Sequence, residues 1–346
     1  MDGWDRPSVT SDVSVTTRWG RTSLPDMNPM TSPNQETSPV PDRATIRPKC
    51  LPESVWPYPL DSLRVGDHRL IFTDTGGPGP VLLFVHVGLW CLMWRDVIGR
   101  LTDRYRCITL DVPGSGLSDR TSRQNQTLDS AAQAIGTLID RLDLRGITLV
   151  VHDLGGLATF AAVRPRLSRV AAVAAVNTFG WKPRGLMLPL ALRLFGSAAM
   201  RELDAFTGLL PLGSSSRLGV GRRWSRQTRQ AWRAGLRDRS SRRLPHRLFR
   251  DAARNKRIHE LADASLTELA DRPLMTVFGK YGDYFCFQRQ WRRRHTDVHS
   301  VVVPGGFHFP MCDNPDLVAT RLHEWHAARV REASQPRSSP EPSPRA

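Results

Sequence analysis

The stretch Leu149-Val-Val-His-Asp-Leu-Gly-Gly156 decides the architecture. It opens as a continuous apolar run, Ile147–His152, of the kind that fills a strand buried on both faces. It then passes through Asp153 and Leu154 into paired glycines that begin a helical stretch over Leu154–Val163. A side chain on such a sharp strand-to-helix turn projects above the sheet, with the N–H groups of the helix start beside it. The residue at the tip is Asp153, and G-x-S-x-G occurs nowhere in the chain. A plainer reading of the same residues is a βα turn whose aspartate caps the helix.

Outward from this turn the same alternation repeats. Strands are expected at Leu70–Thr73, Val81–His86, Arg106–Asp111, Val170–Val176, Leu274–Gly279 and Ser300–Val303. Helical spacing covers Trp94–Leu101, the amphipathic Leu128–Leu142, the surroundings of Phe287–Arg294, and Pro315 to about Arg331. Strands that are apolar throughout and separated by helices predict an α/β fold with a mostly parallel sheet covered on both faces. The alternation stops over 181–270, which has helical periodicity, arginine-rich faces and no strand. An all-helical insert of this size, placed after the sixth strand, is expected to be a lid over the carboxyl ends of the strands, where open α/β sheets bind ligands. The expected organisation is thus a core of 53–180 and 271–333, the helical lid 181–270, and two tails. Residues 1–52 and 334–346 are rich in Ser, Thr and Pro, poor in large apolar residues, and expected to be disordered. Met27 and Met30 are alternative starts, and no internal repeat is visible.

The chain has 346 residues, of which 40% are hydrophobic and 24% charged, enough for one large core with an elaboration. No apolar run approaches 18 residues and the acidic N-terminus lacks a signal-peptide core, so neither a membrane span, a membrane partner nor secretion is expected. Five scattered cysteines without CxxC spacing exclude a disulfide scaffold or zinc module and fit a reducing cytoplasm. The formal charge is +16, and residues 221–257 alone hold thirteen arginines and Lys256 against Asp238 and Asp251, a net +12. Only four of the 49 basic residues are lysine, a bias that reads as codon usage. With no nucleic-acid-binding motif beside it, the run reads as a solvated helical face, and no nucleic-acid partner is expected.

Two further positions complete the chemistry. Asp283 follows the strand 274–279 in Lys280-Tyr-Gly-Asp283, and His308 follows the last strand in Pro304-Gly-Gly-Phe-His-Phe-Pro310. Asp, Asp and His in this chain order, each beyond a strand's carboxyl end, form the triad order of this architecture.

Together with His86-Val-Gly88 after the third strand and Asp111-Val-Pro-Gly-Ser-Gly-Leu-Ser118, which has the form D-x-P-G-x-G-x-S, these motifs make residues 56–333 resemble the α/β-hydrolase fold. The elbow is most similar to the haloalkane dehalogenase and epoxide hydrolase branch. That resemblance implies Asp153 as nucleophile, His308 as the base that activates water, and Asp283 as the carboxylate that orients it. It also implies backbone N–H groups of Leu154 and Val87 as oxyanion and leaving-group donors, no cofactor or metal, and a small apolar organic substrate.

Several residues depart from the branch. The lid has no tyrosine to protonate an epoxide oxygen; the four tyrosines are Tyr58, Tyr105, Tyr281 and Tyr284. Leu154 stands where dehalogenases place a halide-binding tryptophan, and Gly88 where they place an asparagine. Trp90, Trp181 and Trp224 are the alternative indole donors, and Asn177 is a further polar contact or a cap. Arginines that would hold a substrate carboxylate are missing from 154–163. With the order Asp153, Asp283, His308 intact against these altered leaving-group positions, the expected activity is haloalkane dehalogenase-like. The alternatives are an epoxide or ester hydrolase of the same fold and a non-catalytic small-ligand binder.

Overall fold

The apolar runs become strands because each is covered on both sides. In chain order they are β1 (Asp61–Val65), β2 (His68–Asp74), β3 (Val81–Val85), β4 (Arg106–Asp111), β5 (Ile147–Asp153), β6 (Val170–Thr178), β7 (Leu274–Gly279) and β8 (Val298–Val303). The computed structural model describes residues 47–183 and 185–330. Strand order across the sheet is β1-β2-β4-β3-β5-β6-β7-β8, antiparallel at β1–β2 and β2–β4 and parallel from β4 onward. Chain order reverses around β3, so the crevice at the carboxyl ends of β3, β5 and β6 is where such a sheet binds ligands.

Alternate residues of each central strand feed opposite layers. Leu83, Val85, Leu149 and Val151 belong to one apolar cluster, whereas Leu82, Phe84 and Val150 belong to the other. The first cluster takes up α2 (Leu128–Arg141) and α3 (Gly155–Val163); the second takes up the short α1 (Arg95–Ile98). Each such side chain, once buried, contributes roughly 1.5–3 kcal/mol.

Between β6 and β7 the described chain is helical: α4 (Met187–Phe195), α5 (Ala198–Thr207), α6 (Leu209–Ser214), α7 (Arg226–Gly235), α8 (Arg239–Ala252) and α9 (Lys256–Glu268). The last of these packs on α3, with Ile258, Ala262 and Leu266 in the same apolar cluster, so the covering insert proper is α4–α8. After β7 come α10 (Phe287–Arg294), α11 (Pro310–Asp313) and α12 (Pro315–Trp325).

Two differences from the sequence reading have physical causes. β1 is a short, partly exposed edge strand carrying Asp61 and Arg64, without a continuous apolar run, and it pairs with β2 through a two-residue turn in which Gly66 takes φ +57°. Residues 47–52, which composition assigns to the N-terminal extension, pack onto the domain: Leu51 is buried and Arg47 donates to Trp56 O at 2.6 Å. The remainder of that extension, and the C-terminal tail 334–346, lie outside the described residues.

The Asp111 loop is scaffold. Its buried carboxylate accepts from Cys91 N and Leu117 N, both at 2.9 Å, tying the loop after β3 to the loop after β4. A Cβ on Gly156 would stand 2.2 Å from Thr178 Oγ1 and 2.6 Å from Phe179 O. Gly156→Ala is therefore expected to destabilise the protein by about 1–3 kcal/mol, measured as a lowered midpoint in urea unfolding. An unchanged midpoint would mean that β6 can recede from α3.

Candidate functional site

Asp153 ends β5 with φ +51°, a left-handed conformation uncommon for a residue other than glycine. The ladder to β6 shifts register between His152 and Asp153, and Thr178 Oγ1 donates to Asp153 O at 2.5 Å. The chain can turn this sharply because Gly155 approaches Val85 O and His86, where a Cβ would meet the carbonyl at 2.9 Å. Leu154 follows with helical angles as the N-cap of α3 and closes the turn.

The structure brings Asp153 and His308 together: His308 Nε2 lies 3.4 Å from Asp153 Oδ2. Burial alone would push this carboxyl up, but the hydrogen bond and charge of His308 outweigh it and hold Asp153 well below the usual carboxylate range. The aspartate is thus ionised at neutral pH.

His152 and Asn177 hold the histidine loop by its backbone. His152 Nε2 donates to His308 O at 2.9 Å, and Asn177 Nδ2 donates to His308 O at 2.8 Å and to Phe307 O at 3.1 Å. Asn177 Oδ1 in turn accepts from Gly279 N at the end of β7. Asn177 is accordingly a clamp across β6, β7 and the histidine loop. Phe307 N also donates to the buried Asp313 carboxylate at 2.6 Å.

Behind the elbow, His86 Nδ1 and His152 Nδ1 are 3.0 Å apart. Burial keeps both rings neutral, His86 lowered to about 4 and His152 well below its ordinary value. A carbonyl oxygen only accepts, so the His152 hydrogen sits on Nε2 and its Nδ1 is bare. His86 must then donate from Nδ1, which leaves its buried Nε2 an acceptor without a partner among the described residues. These two histidines bear on the active arrangement through position, and the sequence reading had not assigned them roles.

Asp283 lies on the loop beyond β7, beside the histidine loop: Tyr281 N donates to Gly306 O at 2.8 Å. Its carboxylate oxygens accept from Phe287 N at 2.6 Å and Gln288 N at 3.1 Å and so cap α10. Burial raises this carboxyl, against the lowering by those two N–H groups.

Asp153 and His308 open into a cavity of about 390 Å³ under α4 and α8, with Leu188, Leu192, Phe249, Phe285 and Phe287 among its walls. Asn177 and Tyr284 are the other polar groups on it, and among the described residues no arginine or lysine lines it. A small recess on the other side of Asp153 is lined by His86, Val87, Leu154 and, from the lid, Pro245 and Leu248.

The indole donors do not reach this cavity. Trp90 is 1% exposed, packed against Gly235 of α7, and absent from both linings. Trp181 Nε1 donates to Gln290 Oε1 at 3.1 Å and Trp224 Nε1 to Asp96 Oδ2 at 3.0 Å. Their burial as large aromatic surfaces decided their positions. Among the described residues no group of three or more His, Cys, Asp or Glu side chains is placed to hold a metal ion.

Comparison with known proteins bears on the fold that carries these residues. Residues 76–254 match the model of the alpha/beta hydrolase fold family. The chain is 28% identical over 283 residues to haloalkane dehalogenase 2 of Mycobacterium tuberculosis, covering 79% of this chain and 94% of that protein. It is 27% identical over 289 residues to the cis-3-alkyl-4-alkyloxetan-2-one decarboxylase of Shewanella oneidensis, covering 78% and 89%. Among solved structures, the haloalkane dehalogenase from Bradyrhizobium elkani superposes with a TM-score of 0.68 at 20% identity, covering 80% of this chain and 99% of that one.

The neutral histidine pair makes stability depend on pH. An unfolded histidine titrates near 6.5, whereas His86 resists protonation down to about 4. Below pH 6.5 the unfolded chain takes up protons that the folded chain refuses, so this contribution to stability is intact above 6.5 and declines toward about 4. The full shift corresponds to roughly 3 kcal/mol. His86→Asn, whose amide replaces the Nδ1 donor, is expected to lose less stability than wild type between about pH 7 and about pH 4.5 in urea unfolding. Parallel losses in both proteins would exclude His86 as the titrating group.

Proposed function

Because the chain belongs to the α/β hydrolase fold family, we propose that it hydrolyses a small apolar carbon electrophile through an ester formed on Asp153, with carbon–halogen cleavage as the reaction the site suits best. The observation that carries this reading is geometric: the Asp153 carboxylate, 3.4 Å from His308 Nε2, lines a cavity walled largely by leucine and phenylalanine, and the histidine holds its carboxyl well below the usual carboxylate range. An ionised carboxylate in apolar surroundings is poorly solvated and nucleophilic toward saturated carbon. In the first step an Asp153 oxygen bonds to that carbon as the carbon–halogen bond breaks, and the halide leaves with the electron pair. In the second, His308 takes a proton from water as its oxygen adds to the ester carbonyl carbon. The bond between that carbon and the alkoxy oxygen then breaks, and the proton on His308 passes to the departing alkoxide to give the alcohol. The new carboxylic acid loses its proton to solvent, restoring Asp153.

Leu154 N and Val87 N are assigned as the donors for the oxyanion and the departing halide. One donor of this kind is typically worth about 10²–10³ in rate. With no indole on the cavity and the Asn177 amide engaged by two carbonyls, the leaving group rests on backbone amides. Bromide and iodide are therefore favoured over chloride. Among the described residues the cavity lining is apolar and carries no cationic side chain, which supports an uncharged substrate.

The decisive test is intact-mass measurement of His308→Ala after incubation with bromoalkanes, alkyl epoxides and an alkyl β-lactone. A gain of the alkyl mass alone, lost again in Asp153→Asn, is expected, together with a fall in wild-type turnover of at least about 10³ in either variant. A gain of a whole epoxide or lactone mass would move the reading to ring opening. No adduct from any of them, with an inert wild type, would overturn the aspartyl ester.

Asp283 is assigned the orienting role by its place beyond β7. Asp283→Asn keeps an oxygen to cap α10 but loses the charge. If Asp283 steadies the histidine, hydrolysis of the ester slows by at least about 10² while alkylation persists. Unchanged turnover with a lowered melting temperature would make it a helix cap alone.

A further inference from the structure

Of the thirteen large apolar side chains left exposed among the described residues, ten fall between Leu186 and Leu218, and all but Phe195 of these lie outside the cavity lining. Leu186 is 85% exposed, Met187 74% and Leu218 69%. Helix α4 shows how this arises. Leu188 and Leu192 turn inward to the cavity, while Met187, Leu190 and Leu194 stand outward on the opposite side. A helix that is apolar on every side is normally buried on every side, and a soluble surface seldom gathers exposed leucines in this way.

The same surface has a cationic fringe. Helix α8, with five arginines, packs against both α4 and α5. Arg239 places its guanidinium 4.3 Å from the centre of the exposed Phe206 ring, and Arg242 donates to Ala205 O at 3.3 Å. Arg193 within α4 and Arg217 beside Leu218 engage no carboxylate among the described residues. Most of the chain's positive charge follows directly on this apolar face.

We propose that the outer face of α4–α6 docks on an anionic lipid surface, with its leucines and phenylalanines in the acyl boundary and the fringing arginines against phosphate headgroups. Apolar side chains backed by arginine are the composition of an interfacial helix. A two-fold contact between copies would oppose two arginine-rich lids, which like charge disfavours. Helix α4 is nine residues, roughly 14 Å, and no described helix is long and apolar enough to cross a bilayer, so the lid lies on the surface. This departs from the sequence reading, which expected no membrane partner. Its inner face lines the cavity, so docking would set the cavity beside the lipid phase. The inference does not depend on the reaction proposed above.

The test is co-sedimentation of the full chain with phosphatidylglycerol/phosphatidylcholine vesicles and with phosphatidylcholine alone. Partition onto the anionic vesicles is expected to exceed that onto neutral ones at least about tenfold and to fall as salt rises from about 0.05 to about 0.5 M. Met187→Glu with Leu190→Glu, outside the cavity lining, is expected to reduce it at least about tenfold with an unchanged circular dichroism spectrum. Leu186→Glu with Leu218→Glu repeats the test should the first pair not fold. Absence from the anionic pellet, equal binding to both vesicles, or binding that survives both pairs of substitutions would overturn the proposal. So would a stable dimer in light scattering that the glutamates dissolve without any vesicle binding, which would make the face an interface between copies.

Discussion

Asp153 can stand at φ +51° only because the chain on either side of it is pinned at van der Waals distance. Val85 and His86 press on Gly155 from β3, and Thr178 and Phe179 press on Gly156 from β6. A left-handed aspartate is costly by itself, and an elbow of this kind persists where its surroundings overdetermine it. Here three adjacent parallel strands do so, and they are the strands around the point where the sheet's chain order reverses. The position of the carboxylate therefore follows from the packing of the sheet centre. Nothing in the lid is needed to place it.

The histidine is placed by the same strands through a separate set of contacts. His152 is the residue before the elbow, and its ring N–H reaches the carbonyl of His308; Asn177, at the end of β6, reaches the same carbonyl and its neighbour. Both clamps act on backbone, so the imidazole's relation to Asp153 is set by main-chain position. Their hydrogen-bond directions hold because burial keeps His152 and His86 uncharged and so allows one tautomer for each. A polar network beneath an active arrangement is stable in this form only when its protons are where the acceptors need them.

The covering insert obeys a different rule from the core. Its inner side supplies apolar walls to the cavity and its outer side repeats the same residue types toward solvent, with arginines around them. In the core, Leu51, Trp90 and Trp94 satisfy the ordinary rule that large apolar groups leave water. Over α4–α6 that rule is unsatisfied by the described residues, and a lipid phase would satisfy it.

Much of this was legible in the linear chain, and the limits are specific. Apolar runs such as Val81–Val85 and Ile147–Asp153 announce strands because burial on both faces demands an uninterrupted pattern, and paired glycines after Asp153 announce the close approach that only glycine allows. The edge strand Asp61–Val65 was not legible, since one exposed side removes that pattern. Trp90, Trp181 and Trp224 could be named as donors but not located, because an indole is both an N–H and the largest apolar surface in the chain; tertiary packing took each of them away from the cavity. His86 and His152 lie within quoted motifs and Asn177 could be named as a polar contact or a cap, but the partners of all three were not legible, since what they do is join segments more than sixty residues apart. The sequence by itself determined the sheet, the elbow and the chain order of Asp153, Asp283 and His308, because local burial patterns and turn chemistry are written in neighbouring residues. Only the tertiary structure decided which polar groups meet and which apolar face is left uncovered, because both depend on distances between segments that the chain order does not contain.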